Sequence, residues 1–458
     1  MEASVAPAGR SIDWPRFLAD IADVPAITET ALVRQKSRDF YWYSPILKEQ
    51  LRGRFGDVVV CPRSEADVLI VAAACVRHGV PLTVRGAGTG NYGQATPLKG
   101  GVILEMTGMN AIRWTRDGIV RVEARRRLID LEAETLLMGW ELRFHPSTRR
   151  TATIGGFVAG GSTGVGAINY GLVRDRGNVL SARVVTMEPE PRVLELRGDA
   201  VMPVIHAYGC TGIVTELEIP LAPAWPWVDA LVAFGDFSAA LHFGQALAEA
   251  DGIVKKLITP IAAPVPEQYF RPLQPVIPKG ASVTLCMIAE PSLEPFAELV
   301  RVFGGTVTWQ RRSDALDEAP PLYEFSWNHT TLHALKADKG ITYLQTLFPP
   351  GDHLAKIEHM AAHFGDEVPM HVEFVRLGGK IACFGLQLVR YSGPERLAAI
   401  IACLEDHGCP VFNPHTYVLE DGGMKQIDEA QLAFKRMADP LGLLNPGKMR
   451  AWEERERG

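Results

Sequence analysis

Short apolar runs bounded by glycine, proline and charge dominate the first half of the chain, with helical spacing only locally between them. Val58 to Cys61 is one such run, fit for a buried strand. Ser64 then stands three residues ahead of Asp67, a capping-box-like start, and Val68, Val71, Ala72 and Cys75 follow at helical spacing. Gly79 and Pro81 end this helix, after which Pro81 to Val84 resumes as a strand. That strand runs into the glycine-rich stretch RGAGTGNYGQ, Arg85 to Gln94. The next element, Gly101 to Met106, is again strand-like, so no helix follows the glycines.

This placement argues against a nicotinamide-dinucleotide fingerprint, which needs its glycines between the first strand and the helix whose N-terminus meets the pyrophosphate. Gly86, Gly88 and Gly90 also miss the fingerprint's third glycine. Such a loop can instead form an anion-binding nest of backbone amides, or it can be an ordinary surface turn. Two further glycine segments favour the nest: TIGGFVAGGSTGVGAINY, Thr153 to Tyr170, and YGCTGIVT, Tyr208 to Thr215, before a strand-like stretch from Glu216 to Leu221. Together the three segments supply a backbone-lined groove long enough for a dinucleotide.

In order, VVVCPRSEADV, PLTVRGAGTGNYG, HPSTRRTATIGGFVAGG, YGLVRDRGNVLSARVVT and YGCTGIVTELEI resemble the FAD-binding domain of the vanillyl-alcohol oxidase and p-cresol methylhydroxylase superfamily, over about Phe55 to Pro223. DPLGLLNPGKM, Asp439 to Met449, is similar to the closing segment of the hydroxyacid-oxidising members. The resemblance implies an α+β chain in which a two-subdomain FAD-binding domain is joined to an antiparallel-sheet cap. It divides the chain into an N-terminal helical segment (1–54), the FAD-binding domain (55–223), the cap (224–412) and a C-terminal segment returning to the FAD-binding domain (413–458). It further implies that amides around Arg85, Gly86, Ala87, Gly88, Thr89, Gly90, Asn91 and Tyr92 hold the pyrophosphate. By the same resemblance Thr153, Gly155 and Gly156 lie along the flavin, with Ser147, Gly160 and Gly161 nearby. Gly212, Ile213 and Val214 read the adenine or isoalloxazine edge, and Asn445 and Lys448 complete the cofactor set. Members that link the flavin covalently at the pyrophosphate loop carry a histidine there, and this loop has none. FAD is therefore expected to be non-covalent unless a cap histidine forms the bond.

Composition narrows the partners. With 458 residues and 47% hydrophobic content the chain can bury a large core, and its net charge of −6 includes no basic block suited to nucleic acid. The seven cysteines are scattered without a Cys-x-x-Cys pair, which fits a reducing cytoplasm. Glu2 and Asp13 interrupt the N-terminus, and no apolar run approaches a membrane span, so neither a signal peptide nor a transmembrane segment is expected. The expected partners are a small-molecule substrate and an electron acceptor of undetermined kind, with a homodimer as a candidate assembly.

Chemistry is sought in the cap. Val372 to Leu377 and Lys380 to Arg390 flank Gly378 and Gly379 as a hairpin, and helices are expected near Ala239 to Ala250, Leu293 to Val302 and Arg396 to Glu405, with another from Glu429 to Met437. His371 and Glu373 share one strand face and can bind a substrate hydroxyl or accept its proton, or can be a hydrogen-bonded pair at a sheet margin. His415 and Tyr417 in NPHTY form a second acid-base candidate set or close a loop. Arg376 and Arg390 are candidates to pair with a substrate carboxylate.

Hydroxyacid-oxidising relatives bind a metal through paired histidines and a Glu-His-Gly segment. Here Asp421 replaces that histidine and Phe364 stands seven residues before His371, leaving His363, His371 and Glu420 as a weakened metal set. His329 and His333 in WNHTTLH have the i, i+4 spacing of zinc ligands but lack the neighbouring glutamate of a zinc peptidase, so they read as structural. Trp327 and His329 are retained as substrate-wall residues, and the aromatic stretch DFYWYSP, Asp39 to Pro45, either packs or walls a pocket. The expected reaction is hydride transfer from a hydroxyl-bearing carbon to flavin N5, with His371 as base. A non-catalytic electron-relay subunit, or a pyridine-nucleotide-dependent flavin reductase, are the rival classes.

Overall fold

Val58–Val60 is a strand buried along its whole length, as a strand covered on both faces must be. It pairs in parallel with Val102–Glu105, and Val102–Glu105 pairs in parallel with Leu82–Arg85. The crossover helix Glu65–His78 is capped by the Ser64 hydroxyl, which accepts from the Asp67 N–H, and ends at Gly79 in a left-handed conformation (φ +64°). The computed structural model describes residues 12–106, 108–314 and 320–455. Glu2, on which the absence of a leader was partly argued, lies outside them.

A second, antiparallel sheet follows. Its strands run in the order Ile112–Arg116, Ile119–Glu123, Ile213–Pro223, Ser181–Val185, Val193–Arg197, and Trp140–Leu142 joins the far end of the long strand. The short helix Ile154–Gly160, capped by the Thr153 hydroxyl, packs with this sheet through Ile154, Phe157 and Val158. Parts of all three glycine segments line a common cavity.

The cap is built on an antiparallel sheet ordered Lys255–Ile261, Ser282–Ala289, Trp227–Phe234, Thr306–Arg312, covered by the helices Phe237–Glu249 and Leu293–Val302. The hairpin at Gly378 and Gly379 is present, with both glycines at positive φ (+57° and +81°). The single strand expected from Lys380 to Arg390 is broken into Lys380–Gly385 and Leu388–Arg390, which pair with different partners. Gly385 marks the break: a Cβ there would lie 2.7 Å from the Phe348 ring and from Gln387 Oε1. Helices also occupy Pro394–Asp406 and Glu429–Ala438. Among the described residues no helix is long and apolar enough to cross a membrane.

Two features weld these parts together. The C-terminal segment returns to the parallel sheet, where the Leu82 N–H donates to Leu443 O and the Asn445 N–H donates to Leu82 O, both at 2.8 Å. At the cap boundary the buried Lys256 Nζ lies 2.9 Å from Glu141 Oε1, while Glu141 Oε2 accepts from the Trp227 indole at 2.6 Å. Such a pair costs desolvation and is maintained by the hydrogen bonds around it.

Three buried histidines and the half-buried His333 sit in this framework as neutral rings. His415 bonds Ser44 Oγ (2.8 Å) and Tyr343 O (2.9 Å), His206 bonds Gly161 O, His145 bonds Pro146 O, and His333 bonds Glu324 O while stacking on Phe325. Burial pushes His415, His206 and His333 down to about 4 and His145 to about 3. The unfolded chain, with ordinary histidines, binds more protons below about pH 6.5, so these residues lose stability as pH falls toward 4. Asp39, raised to about 6 by burial, acts in the opposite sense between its unfolded value and 6, with a single proton. Thermal melts at constant ionic strength are expected to show a falling Tm from about pH 6.5 to 4; a flat profile would contradict the neutral assignment.

Candidate functional site

The glycine segments meet around one elongated cavity with about 1680 Å³ of open space, mouth included. Its lining comprises Met106, Ala124, Gly212 and Val214, the loop Gly86 to Tyr92 with Thr153, Gly155, Gly156, Gly160 and Gly161, and Trp327, Asn328, His329, Gln345, Phe384 and Leu386 of the cap. Asp39, Phe40 and Tyr43 close one side, so the early aromatic stretch contributes wall as well as packing. Ser147 also lines the space.

The loop-lined part of the cavity is built of main chain because side chains do not fit. A Cβ on Gly86 would fall on the Thr153 hydroxyl, and one on Gly88, which has φ +68°, would fall on the Arg85 guanidinium. On Gly155 it would lie 2.6 Å from the Ala124 methyl. Among the described residues, the amides of Ala87, Gly88, Thr89, Gly90 and Asn91 have no intramolecular acceptor. Five consecutive unpaired donors beside a cavity are a donor set suited to phosphate oxygens. The residues present therefore fit a dinucleotide pyrophosphate.

Four residues of the expected cofactor set stand one layer back. Arg85 donates to Arg38 O (2.7 Å) and Ala87 O (3.3 Å), fixing the loop from behind. Ile213 points into the core because strand alternation turns it away from its cavity-lining neighbours Gly212 and Val214. Asn445 Nδ2 donates to Gln94 O and Tyr208 O, both at 2.8 Å, and Lys448 donates to Gly93 O. Burial lowers the Lys448 ammonium to about 8. These residues brace the loops that line the cavity.

The acid-base candidates require correction. His371 is fully buried, and its ring bonds Leu386 O (3.2 Å) and Glu373 Oε1 (2.9 Å). Glu373 also accepts from Thr259 Oγ1 and from the Trp327 N–H, both at 2.6 Å. Neither residue lines the cavity. Their shared strand face looks at the back of Trp327, whose φ of +50° is costly for a bulky residue and is held by the Glu373 carboxylate. His415 is tied to Ser44 and Tyr343, and Tyr417 lies under the Lys448 ammonium, 5.3 Å from its ring centroid; both are off the cavity.

Arg376 donates to Ile168 O and Arg390 to Asp366 O, so neither faces the cavity. The metal set is also not assembled. His363 lies beside Cys403 (3.7 Å), His371 bonds Glu373, and Glu420 accepts from the Arg450 and Ala451 amides; among the described residues no three such side chains are placed to hold a metal ion.

What faces the cavity from the cap is a different group. Tyr92 Oη lies within hydrogen-bond distance of the Gln345 amide (2.6 and 2.8 Å), and Gln345 Nε2 is 3.5 Å from Asn328 Oδ1. Burial, aided by the Lys336 charge, lowers His329 to about 4, so it is a neutral proton acceptor; burial raises the Tyr92 phenol to about 12, so it stays protonated. His329 and Trp327 were legible in the sequence as wall residues. Gln345, Phe384 and Leu386 belong to no motif and reach the cavity only through the cap's tertiary packing.

Residues 56–195 match the family model described as FAD binding domain, and the chain accordingly carries an FAD-binding domain of that family. The glycolate oxidase subunit GlcD of Escherichia coli is 30% identical over 214 residues, 43% of this chain and 41% of that protein. An uncharacterized FAD-linked oxidoreductase of Mycobacterium tuberculosis is 28% identical over 192 residues, 39% of this chain and 41% of that protein. The mitochondrial cytochrome-linked D-lactate dehydrogenase of Arabidopsis thaliana is 30% identical over 36% of this chain and 30% of its own length. The aligned region thus spans less than half the length of these curated relatives. An alkyldihydroxyacetonephosphate synthase structure superposes with a TM-score of 0.71 over 97% of this chain and 86% of that chain, at 14% identity, which shows a shared fold.

Gly88→Ala should weaken FAD binding at least about tenfold, because the new methyl meets Arg85 and the left-handed backbone is strained. Fluorescence titration of FAD into the apo-protein, with circular dichroism confirming the fold, measures this; wild-type affinity would remove the loop from the cofactor site.

Proposed function

We propose that the chain is an FAD-dependent oxidoreductase that oxidises a hydroxyl-bearing carbon. The observation that carries this reading is the continuity of the cavity from the glycine loops to the polar cap end. Bound flavin would supply a hydride acceptor; the chain's own residues supply position and proton handling. The amides of Ala87 to Asn91 would hold the pyrophosphate, and the main chain around Thr153 to Gly156 would line the flavin-bearing section. Cap residues line the same cavity opposite the glycine loops.

His329 replaces His371 as the proposed base, since it reaches the cavity and is neutral at working pH. Tyr92, Gln345 and Asn328 orient the substrate oxygen toward it. Glu373 and His371 act through Trp327 as positioning residues.

With a purified single chain under anaerobic conditions, a panel of alcohols and hydroxy acids should bleach the flavin. His329→Ala should slow single-turnover reduction by at least about a hundredfold with FAD still bound. An unchanged rate would discard His329 as base, and a panel that never bleaches the flavin would discard the reaction.

FAD is proposed to be non-covalent: the pyrophosphate loop has no histidine, and among the described lining residues there is no cysteine. Acid precipitation should release all yellow colour to the supernatant. Colour retained in the pellet, and released in His329→Ala, would instead assign a bond to that histidine.

A further inference from the structure

We infer that the substrate of this site is an uncharged alcohol with an apolar or aromatic body, and not a hydroxy acid; the inference rests on the reading just given and narrows its substrate class. The cap end is walled by Trp327, Phe384 and Leu386, and its polar groups, Asn328, His329 and Gln345, are all neutral. Among the described residues no lysine or arginine lines any part of the cavity.

Of the cations close in sequence to the lining residues, Arg125 follows Ala124 and has a buried Nε with no hydrogen-bond partner among the described residues, while Arg149, Arg150, Arg174 and Lys425 are engaged elsewhere. Arg149 pairs with Glu132 and Arg150 with Glu324. Arg174 donates to Met424 O, and Lys425 to Met202 O and Ile205 O. Arg85 and Lys448 stand behind the glycine loop beside Asp39, at the section assigned to the pyrophosphate. One layer behind the cap wall the Glu373 carboxyl lies against the Trp327 amide.

A substrate carboxylate at the cap end would give up its hydration without gaining a cationic partner, and it would sit near Glu373. Burial of an unpaired anion is strongly unfavourable. A hydroxyl, by contrast, can both donate and accept, and the amides of Gln345 and Asn328 offer both complements. The aromatic wall stabilises an apolar body through buried area.

The test uses the FAD-loaded protein under anaerobic conditions and matched pairs: 1-phenylethane-1,2-diol against mandelate, and propane-1,2-diol against lactate. Perturbation of the flavin spectrum reads binding, and bleaching reads reduction. Expected is at least tenfold tighter binding of the neutral member of the aromatic pair. Equal or tighter binding of the carboxylates, or no binding of either neutral compound, overturns the inference. Tighter neutral binding without bleaching would support the inference about the site while counting against the proposed reaction, so the two fail separately. A cation placed at the cap end should reverse the preference. Gln345→Arg, or Asn328→Lys should the first not fold, is expected to improve mandelate binding at least tenfold, and an unchanged preference in a folded variant counts against the inference.

Discussion

The whole arrangement depends on three stretches of main chain approaching one another with no side chain between them. At Gly86 and Gly155 a single methyl group would collide with a neighbouring segment, and at Gly88 with the Arg85 guanidinium of its own loop, so Gly86 and Gly155 fix how closely the segments approach. The close approach leaves the amides of Ala87 to Asn91 without internal acceptors. Such cavity-facing donors are left for water or a ligand to satisfy, and an anionic ligand satisfies several at once. The same constraint therefore shapes the cavity and selects its occupant.

The cap solves a different problem. Its wall over the cavity includes Trp327 in a conformation unfavourable for a bulky side chain, and a buried carboxylate with a histidine behind it holds that conformation in place. The two residues with the strongest chemical character in the cap thus face protein and not ligand, and their chemistry goes into keeping an aromatic surface fixed. The groups that do face the ligand are chemically mild, which is consistent with a site in which a cofactor does the difficult step.

How much of this was legible in the sequence follows from the range of the interactions involved. The helix Glu65–His78, its Ser64 cap, the strand before it and the turn at Gly378 and Gly379 are local, and local spacing revealed them. The glycine segments were legible because main-chain approach demands one residue type. Strand parity was correct for His371 and Glu373 but could not say which side of the sheet carried the cavity, so a shared face was mistaken for a catalytic face. Gln345, Phe384 and Leu386 carry no local pattern, since only the break at Gly385 and the pairing of distant strands bring them to one place. Asn445 and Lys448 were found by likeness of the closing segment, yet their side chains tie loops together from behind.

Asn445 has a further consequence. Its backbone bonds Leu82 and its side chain bonds Gln94 and Tyr208, so a strand of the parallel sheet and two glycine-rich loops are clasped by a position more than two hundred residues later in the chain. Contacts of such long sequence separation form late, because the intervening loop must close first. The nucleotide cradle, though written mostly in the first half of the chain, is thus braced by the last segment of the chain, and its loops are held in place from a distance in sequence.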